Sequence, residues 1–254
     1  MNLKCEILSA AVTFREQPFA KPLQLSSGTI TEITEATVEV RVLAGGREAT
    51  GRSSIYLSDL WAWPDPAYTH AQRDEKMREY CLRTTSELAE QNSGRRHPIE
   101  LGMSMHRRIG DSTGDGSIPF LAGLVCVSPF DAALHDGAGR ALGLSAFRFY
   151  DASGAGDDGE SDMLFPGKGA LAAVHDFLLP QPSRAVDGWY VVSGTDPLAG
   201  DFRAFVQQRG FRCFKLKTHG KDSEADARRT AEVFQAARAL GVKRPRLSAD
   251  SNEG

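Results

Sequence analysis

The stretch Arg212-Cys213-Phe214-Lys215-Leu216-Lys217, followed at a distance by Arg246-Leu247-Ser248-Ala249-Asp250-Ser251-Asn252, decides how this chain folds. Side chains along a strand alternate faces, so Lys215 and Lys217 share one face and stand about 7 Å apart. Between the two stretches, residues 222–240 place Ala227, Ala231, Phe234, Ala237 and Leu240 on one helical face, with Gly241 as the stop. Strand, helix and strand make a βαβ unit. Its crossover puts the two lysines and Asp250 at the C-terminal ends of neighbouring parallel strands, the end at which barrel folds keep their chemistry.

Working outward, residues 189–193 form another short apolar run, Asp196 and Pro197 open a helix toward Gln208, and Gly210 ends it before the lysine strand. Apolar strands alternating with helices point to a parallel sheet or barrel. A complete barrel of this kind needs about 250 residues. From Asp187 onward only three strands and two helices fit.

The first half has a different grammar. Residues 5–14, 36–43 and 48–56 read as strands of an antiparallel meander, with Val38, Val40 and Val42 alternating and Gly45-Gly46 as the turn. Residues 19–30, with Leu23, Leu25 and Gly28, read as a loop with an apolar tip. Helices are expected over 66–91 and 129–142, the latter stopped by Gly143. Residues 94–119 carry Arg95, Arg96, Arg107 and Arg108 and read as an insertion or a solvated loop. Residues 151–162 are rich in Gly, Ser and Asp, as in a linker. Their Gly154, Gly156 and Gly159 spacing lacks a preceding strand, and Asp157 and Asp158 would repel a pyrophosphate.

A charged fraction of 25%, a hydrophobic fraction of 41% and a net charge of -3 describe a soluble globular chain with no call for a nucleic-acid partner. No stretch is long enough to span a membrane. Glu6 interrupts the apolar N-terminal run and Arg15 and Glu16 end it, against a signal peptide. Cys5, Cys81, Cys126 and Cys213 are scattered, as reduced thiols of a cytoplasmic protein are.

Four segments in order carry a family likeness: Ser128-Pro129-Phe130-Asp131-Ala132-Ala133-Leu134-His135-Asp136, Gly139-Arg140-Ala141-Leu142-Gly143-Leu144, Lys215-Leu216-Lys217, and Asp250-Ser251-Asn252-Glu253-Gly254. Together they resemble the enolase superfamily, and within it the mandelate racemase and muconate lactonizing enzyme group. The resemblance implies an α+β N-terminal capping domain over residues 1–150, a linker or crossover over 151–186, and the first three strands of a (β/α)7β barrel over 187–254. It further implies Mg²⁺ and a small carboxylate-bearing substrate that loses its α-proton. Stabilising the enediolate that develops takes a divalent cation and a nearby ammonium, and enolase-type sites are known to pair a Lys or His base with Mg²⁺.

Under that resemblance Lys217 is the base. Lys215 binds the substrate carboxylate and, by like-charge repulsion, helps Lys217 give up its proton. Asp250 is a Mg²⁺ ligand, and Asn252 hydrogen-bonds the substrate. The expected outcome is racemisation, epimerisation or cycloisomerisation, with acid-sugar dehydration as the alternative and a homo-oligomer as the full-length form. The rivals are a Schiff-base lyase using Lys217 and a non-catalytic binding module. Because the family draws further acidic ligands and a second acid/base from later strands, the 254 residues are expected to be an inactive piece of a longer enzyme. His135 and Asp136 read as packing or surface residues, and His219 as a loop residue.

Overall fold

Residues 3–25, 28–90, 94–113, 118–150, 183–218 and 220–251 are described by a computed structural model. Contacts divide the chain into two units, Met1–Leu178 and Leu179–Gly254. Among the described residues no helix is long and apolar enough to cross a membrane.

The first unit is an antiparallel sheet of β1 (Cys5–Leu25), β2 (Gly28–Ala44) and β3 (Arg47–Tyr56), in that order. Gly45 and Gly46 both take positive φ, 57° and 75°, as a two-residue hairpin turn requires. Strand β2 sets the two faces. Ala36, Val38 and Val40 are fully buried, whereas Glu35, Glu39 and Arg41 face the other way. On that open face charges pair across strands: Arg15 with Glu35 at 2.9 Å and Arg52 with Glu39 at 2.8 Å.

Two sequence expectations fail here. Within the loop expected over residues 19–30 the described residues are strand: Leu23 stands opposite Ile30 and Leu25 opposite Gly28. The register slips between Pro18 and Leu23 and then resumes, because β1 is an edge strand that can absorb prolines and a bulge without losing the ladder. Of the two alternatives for residues 94–119, an insertion or a solvated loop, the solvated loop fails: the segment contains a helix, α3 (Pro98–Thr113). Leu101, Met105 and Ile109 bury one of its faces. His97 caps α3: its Nδ1 accepts from the Ile99 N–H at 3.3 Å, while Glu100 Oε2 accepts from the His97 N–H at 3.1 Å. That is a capping box with an imidazole in the hydroxyl's place.

Around this lie the short α1 (Asp59–Ala62), α2 (His70–Glu90) and α4 (Phe120–Leu142), which packs on β2 and β3. Helix α4 begins nine residues before Pro129, where the sequence reading started it. Proline has no N–H for the Val125 carbonyl, and the Ser128 hydroxyl donates to that oxygen at 2.9 Å instead, so the helix runs through. Its contact with β3 is too close for side chains. A Cβ on Gly51 would stand 2.0 Å from the Ala133 carbonyl oxygen, and Asp136 Oδ2 accepts the Arg52 N–H at 3.0 Å. Gly143, at φ 68°, ends the helix as expected.

The second unit is a parallel sheet, β4 (Trp189–Val192), β5 (Cys213–Lys217) and β6 (Arg246–Asp250), joined by α5 (Asp201–Arg209) and α6 (Ser223–Ala239). Phe214, Leu216 and Val192 pack against Phe202, Val206, Val233 and Ala237 of the helices. Asp222 caps α6 by accepting the Ala225 N–H at 2.9 Å. The helix expected from Asp196 starts later, at Asp201. The Asp196 carboxylate turns back to accept the Ser193 N–H at 2.8 Å, and Gly200 takes φ 67° before the helix can begin. An α+β unit followed by the first strands of a β/α barrel is the fold class the sequence led us to expect. The linker region, with its three glycines, lies outside the described residues.

Candidate active site

The C-terminal ends of β5 and β6 bring together the side chains of the candidate site. In the parallel register Lys215 stands opposite Ser248 and Lys217 opposite Asp250, and the Thr218 N–H carries the ladder one step further to the Asp250 carbonyl at 3.0 Å. The pleat sends Phe214 and Leu216 into the helix-covered core and both lysines to the opposite face. There the side chains converge: Lys215 Nζ and Lys217 Nζ each lie 2.7 Å from the same oxygen, Oδ2 of Asp250. The three side chains are between 25% and 40% exposed, so they meet at a surface that solvent and a ligand can reach.

The same face carries Trp189 and Val191 from β4, both about half exposed. At the other end of the sheet an equivalent ionic group sits around Asp187, with Arg212 at 2.6 Å and Arg246 at 3.6 Å, and Arg246 lies over the Trp189 ring at 5.6 Å. The hydrogen bond and charge of Asp187 raise the Arg212 pKa further. Arginines cannot give up a proton at ordinary pH, so that end is built for cohesion.

One part of the rim was missed by the sequence reading. Beyond β4, the Ser193 hydroxyl accepts the Asp196 N–H at 3.1 Å, and Arg229 of α6 donates from Nη2 to the carbonyls of Ser193 (3.1 Å) and Asp196 (2.5 Å). A Ser-x-x-Asp spacing signals such a turn, but nothing local announces an arginine 33 residues on. His135 donates from Nδ1 to the Asp131 carbonyl at 2.9 Å inside the first unit, and Asp136 accepts from the β3 backbone. Asn252 and His219 lie outside the described residues.

The donor chemistry at this site can be tested against a metal. Asp250 offers a hard carboxylate oxygen of the kind Mg²⁺ takes, and so fits as one ligand. Among the described residues no group of three or more His, Cys, Asp or Glu side chains could hold an ion.

No protein-family model matches this sequence, and no curated protein matches it. Solved structures do. An enolase from Bradyrhizobium, complexed with magnesium and mandelic acid, superposes with a TM-score of 0.56 at 19% identity, over 97% of this chain and 54% of that one. A mandelate racemase/muconate lactonizing enzyme-like protein from Rubrobacter xylanophilus gives 0.54 at 18% identity, over 96% and 52%. A muconate lactonizing enzyme from Pseudomonas fluorescens, complexed with muconolactone, gives 0.52 at 17%, over 97% and 53%. The chain therefore has the fold of these enolase-superfamily proteins, the mandelate racemase and muconate lactonizing group among them. It spans about half their length.

Proposed function

We propose that this chain carries the lysine side of an enolase-type active site, in which Lys217 removes the α-proton of a small carboxylate-bearing substrate. The observation that carries the reading is the convergence of Lys215 and Lys217 on Asp250 at the C-terminal ends of adjacent parallel strands. Lys217 reaches the open face beside the strand end, where an amine can take a proton. Lys215 supplies a second cationic group for the substrate carboxylate and for the charge that develops on it. Asp250 serves as a Mg²⁺ ligand and Asn252 as a hydrogen-bonding group for the substrate. The bound ion would stabilise the enediolate as a Lewis acid.

The fold supports this reading, as does the solved neighbour from Bradyrhizobium, which is complexed with magnesium and mandelic acid. Racemisation, epimerisation or cycloisomerisation is the proposed outcome, in a cytoplasmic homo-oligomer. Four free, buried cysteines suit a reducing compartment; burial pushes the Cys5 thiol up to about 12 against the opposing pull of a backbone hydrogen bond. One carboxylate does not hold Mg²⁺ firmly, so the 254 residues alone are proposed not to turn over.

The test is deuterium uptake at the α-carbon of mandelate in D₂O with Mg²⁺, followed by proton NMR. The protein isolated from its source should exchange, Lys217→Ala should lose about 10²–10⁴-fold of that rate, and the 254-residue chain expressed alone should be silent. Exchange that survives Lys217→Ala removes the lysine from its role.

A further inference from the structure

We propose that the first unit carries a binding groove for an alkyl di- or polyamine, lying between Glu16 and Glu32 of the sheet and helix α2, with Asp74 as its buried anchor. A cavity of about 530 Å³ opens there, within the size range of small-molecule sites. Its lining sets five carboxylates, Glu16, Glu32, Asp74, Glu75 and Glu79, against one arginine, Arg78. That arginine is already committed. Its Nε lies 2.7 Å from Asp74 Oδ2, its Nη2 donates to Thr34 Oγ1 at 2.7 Å, and Glu16 Oε1 stands 3.5 Å from it. Among the described residues Glu32, Glu75 and Glu79 form no ion pair, so the cavity keeps a surplus of negative charge. A cluster of acids is by itself only a charged surface, and Asp74 is the observation that points to a ligand. It is 7% exposed, and its Oδ1 is buried with no hydrogen-bond partner. A buried carboxylate oxygen left unpaired is costly, and an ammonium N–H at the cavity wall would satisfy it.

The charges stand where the pattern of the elements calls for apolar residues. Along β2, Thr34 and Glu32 continue the face that Val40, Val38 and Ala36 give to the core, and Glu16 of β1 stands opposite Thr34. On α2, Ala71, Asp74, Glu75, Arg78, Glu79 and Leu82 follow the three- and four-residue spacing of one helix face. Glu75 and Glu79 are a like-charged i,i+4 pair, about 5–6 Å apart at Cβ, which destabilises a helix with no cation beside it. Two ammonium groups joined by three or four methylenes match that spacing, and Ala71 and Leu82 give the chain apolar surface along the groove. His70, also in the lining, adds a polar contact. Its Nδ1 is 3.0 Å from Oδ1 of Asp59, a side chain 1% exposed, which leaves Nε2 as its free nitrogen. In the neutral imidazole Nε2 accepts from an ammonium. A metal ion fits less well, because no group of three or more ligating side chains exists among the described residues.

The experiment uses the protein isolated from its source and its variants, with spermidine as the probe and calorimetry at physiological ionic strength as the readout. Spermidine should bind at a single site, and butylamine, which carries one ammonium, should bind at least about tenfold more weakly. Asp74→Asn should lose about tenfold or more in affinity, and Glu75→Gln and Glu79→Gln about three- to tenfold each. Glu224→Gln, an exposed position on α6, should change affinity by less than about twofold. Circular dichroism reports whether Asp74→Asn is folded, and the two exposed glutamate positions of α2 carry the test if it is not. In proton NMR the His70 ring signal, assigned by its loss in His70→Gln, should move in step with saturation. An absence of binding heat overturns the groove, as does an affinity that Glu224→Gln lowers as much as Glu75→Gln and Glu79→Gln do. Equal affinity for butylamine overturns the assignment to a di- or polyamine.

Discussion

The two sheets of this molecule each have a helix-covered face and an open one, and the two sheets differ on both. In the first unit α4 lies so close to β3 that Gly51 and Gly137 replace side chains at the contact. In the second, Phe214 and Leu216 fill the space beneath α5 and α6. The open faces differ in kind. The first is laced with cross-strand ion pairs among Arg15, Glu35, Glu39 and Arg52 and is at home in water. The second sets Trp189 and Val191, half exposed, beside two lysines that share one carboxylate. A solvated surface spreads its charges and pairs them one to one. A site gathers like charges on one acceptor beside apolar surface, at the strand ends where a ligand can enter.

Substitutions on the four faces separate these roles. The largest stability loss should come from Phe214→Ala on the covered face of the parallel sheet, about 3–5 kcal/mol by denaturant unfolding. Gly51→Ala should cost about 3 kcal/mol or more, because the added Cβ lies 2.0 Å from the Ala133 carbonyl and 2.2 Å from the Gly137 nitrogen. A tolerant Gly51→Ala would break the claim that the first sheet is closed by backbone contact.

The layer over the first sheet also hides titratable groups, and these give it a pH dependence of its own. Burial, with the charge of His135 adding to it, lowers the His97 pKa from 6.5 to about 4. The unfolded chain therefore binds a proton between those values that the folded one does not. Stability is present above pH 6.5 and falls as the pH drops toward about 4, by about 3 kcal/mol. His135 acts in the opposite sense. Burial works against its proton, yet the hydrogen bonds and charge of Asp131 outweigh it and raise the pKa, so its contribution is present at low pH and lost as the pH rises through the folded value. Urea titrations from pH 7 to pH 4 should show the net slope, and His97→Asn should flatten it.

The smallest stability effects belong to the open faces. Lys215→Met and Arg52→Ala should each cost less than about 1 kcal/mol, since exposed ion pairs contribute little. The two should part company in function: Arg52→Ala leaves α-proton exchange as it was, and Lys215→Met weakens it. Equal effects on exchange would erase the distinction between a solvated face and a site.

Much of this was legible because it depends on local pattern. Period-two alternation gave β2 its two faces, Gly210 and Gly241 bounded the helices of the parallel unit, and strand pleating placed both lysines together. The misreadings share a cause. Residues 19–30 looked like a loop because prolines and polar residues weigh against strand locally, whereas an edge strand tolerates them once its partner is in place. Residues 94–119 looked like solvated chain because their arginines dominate the composition. The apolar stripe of Leu101, Met105 and Ile109 finds its burial only when α3 meets α4.

The sequence by itself determined which residues could share a face, because backbone geometry fixes the periods of strand and helix whatever surrounds them. It settled that Lys215 and Lys217 point the same way and that Asp250 ends a parallel strand. Only the tertiary structure decided that both amines meet on one Asp250 oxygen and that Arg229 ties down the Ser193–Asp196 turn. Those contacts join residues 33 to 36 positions apart. Hydrogen bonds and ion pairs act over a few ångströms of space, and such distances between remote residues exist only after the strands have found their register.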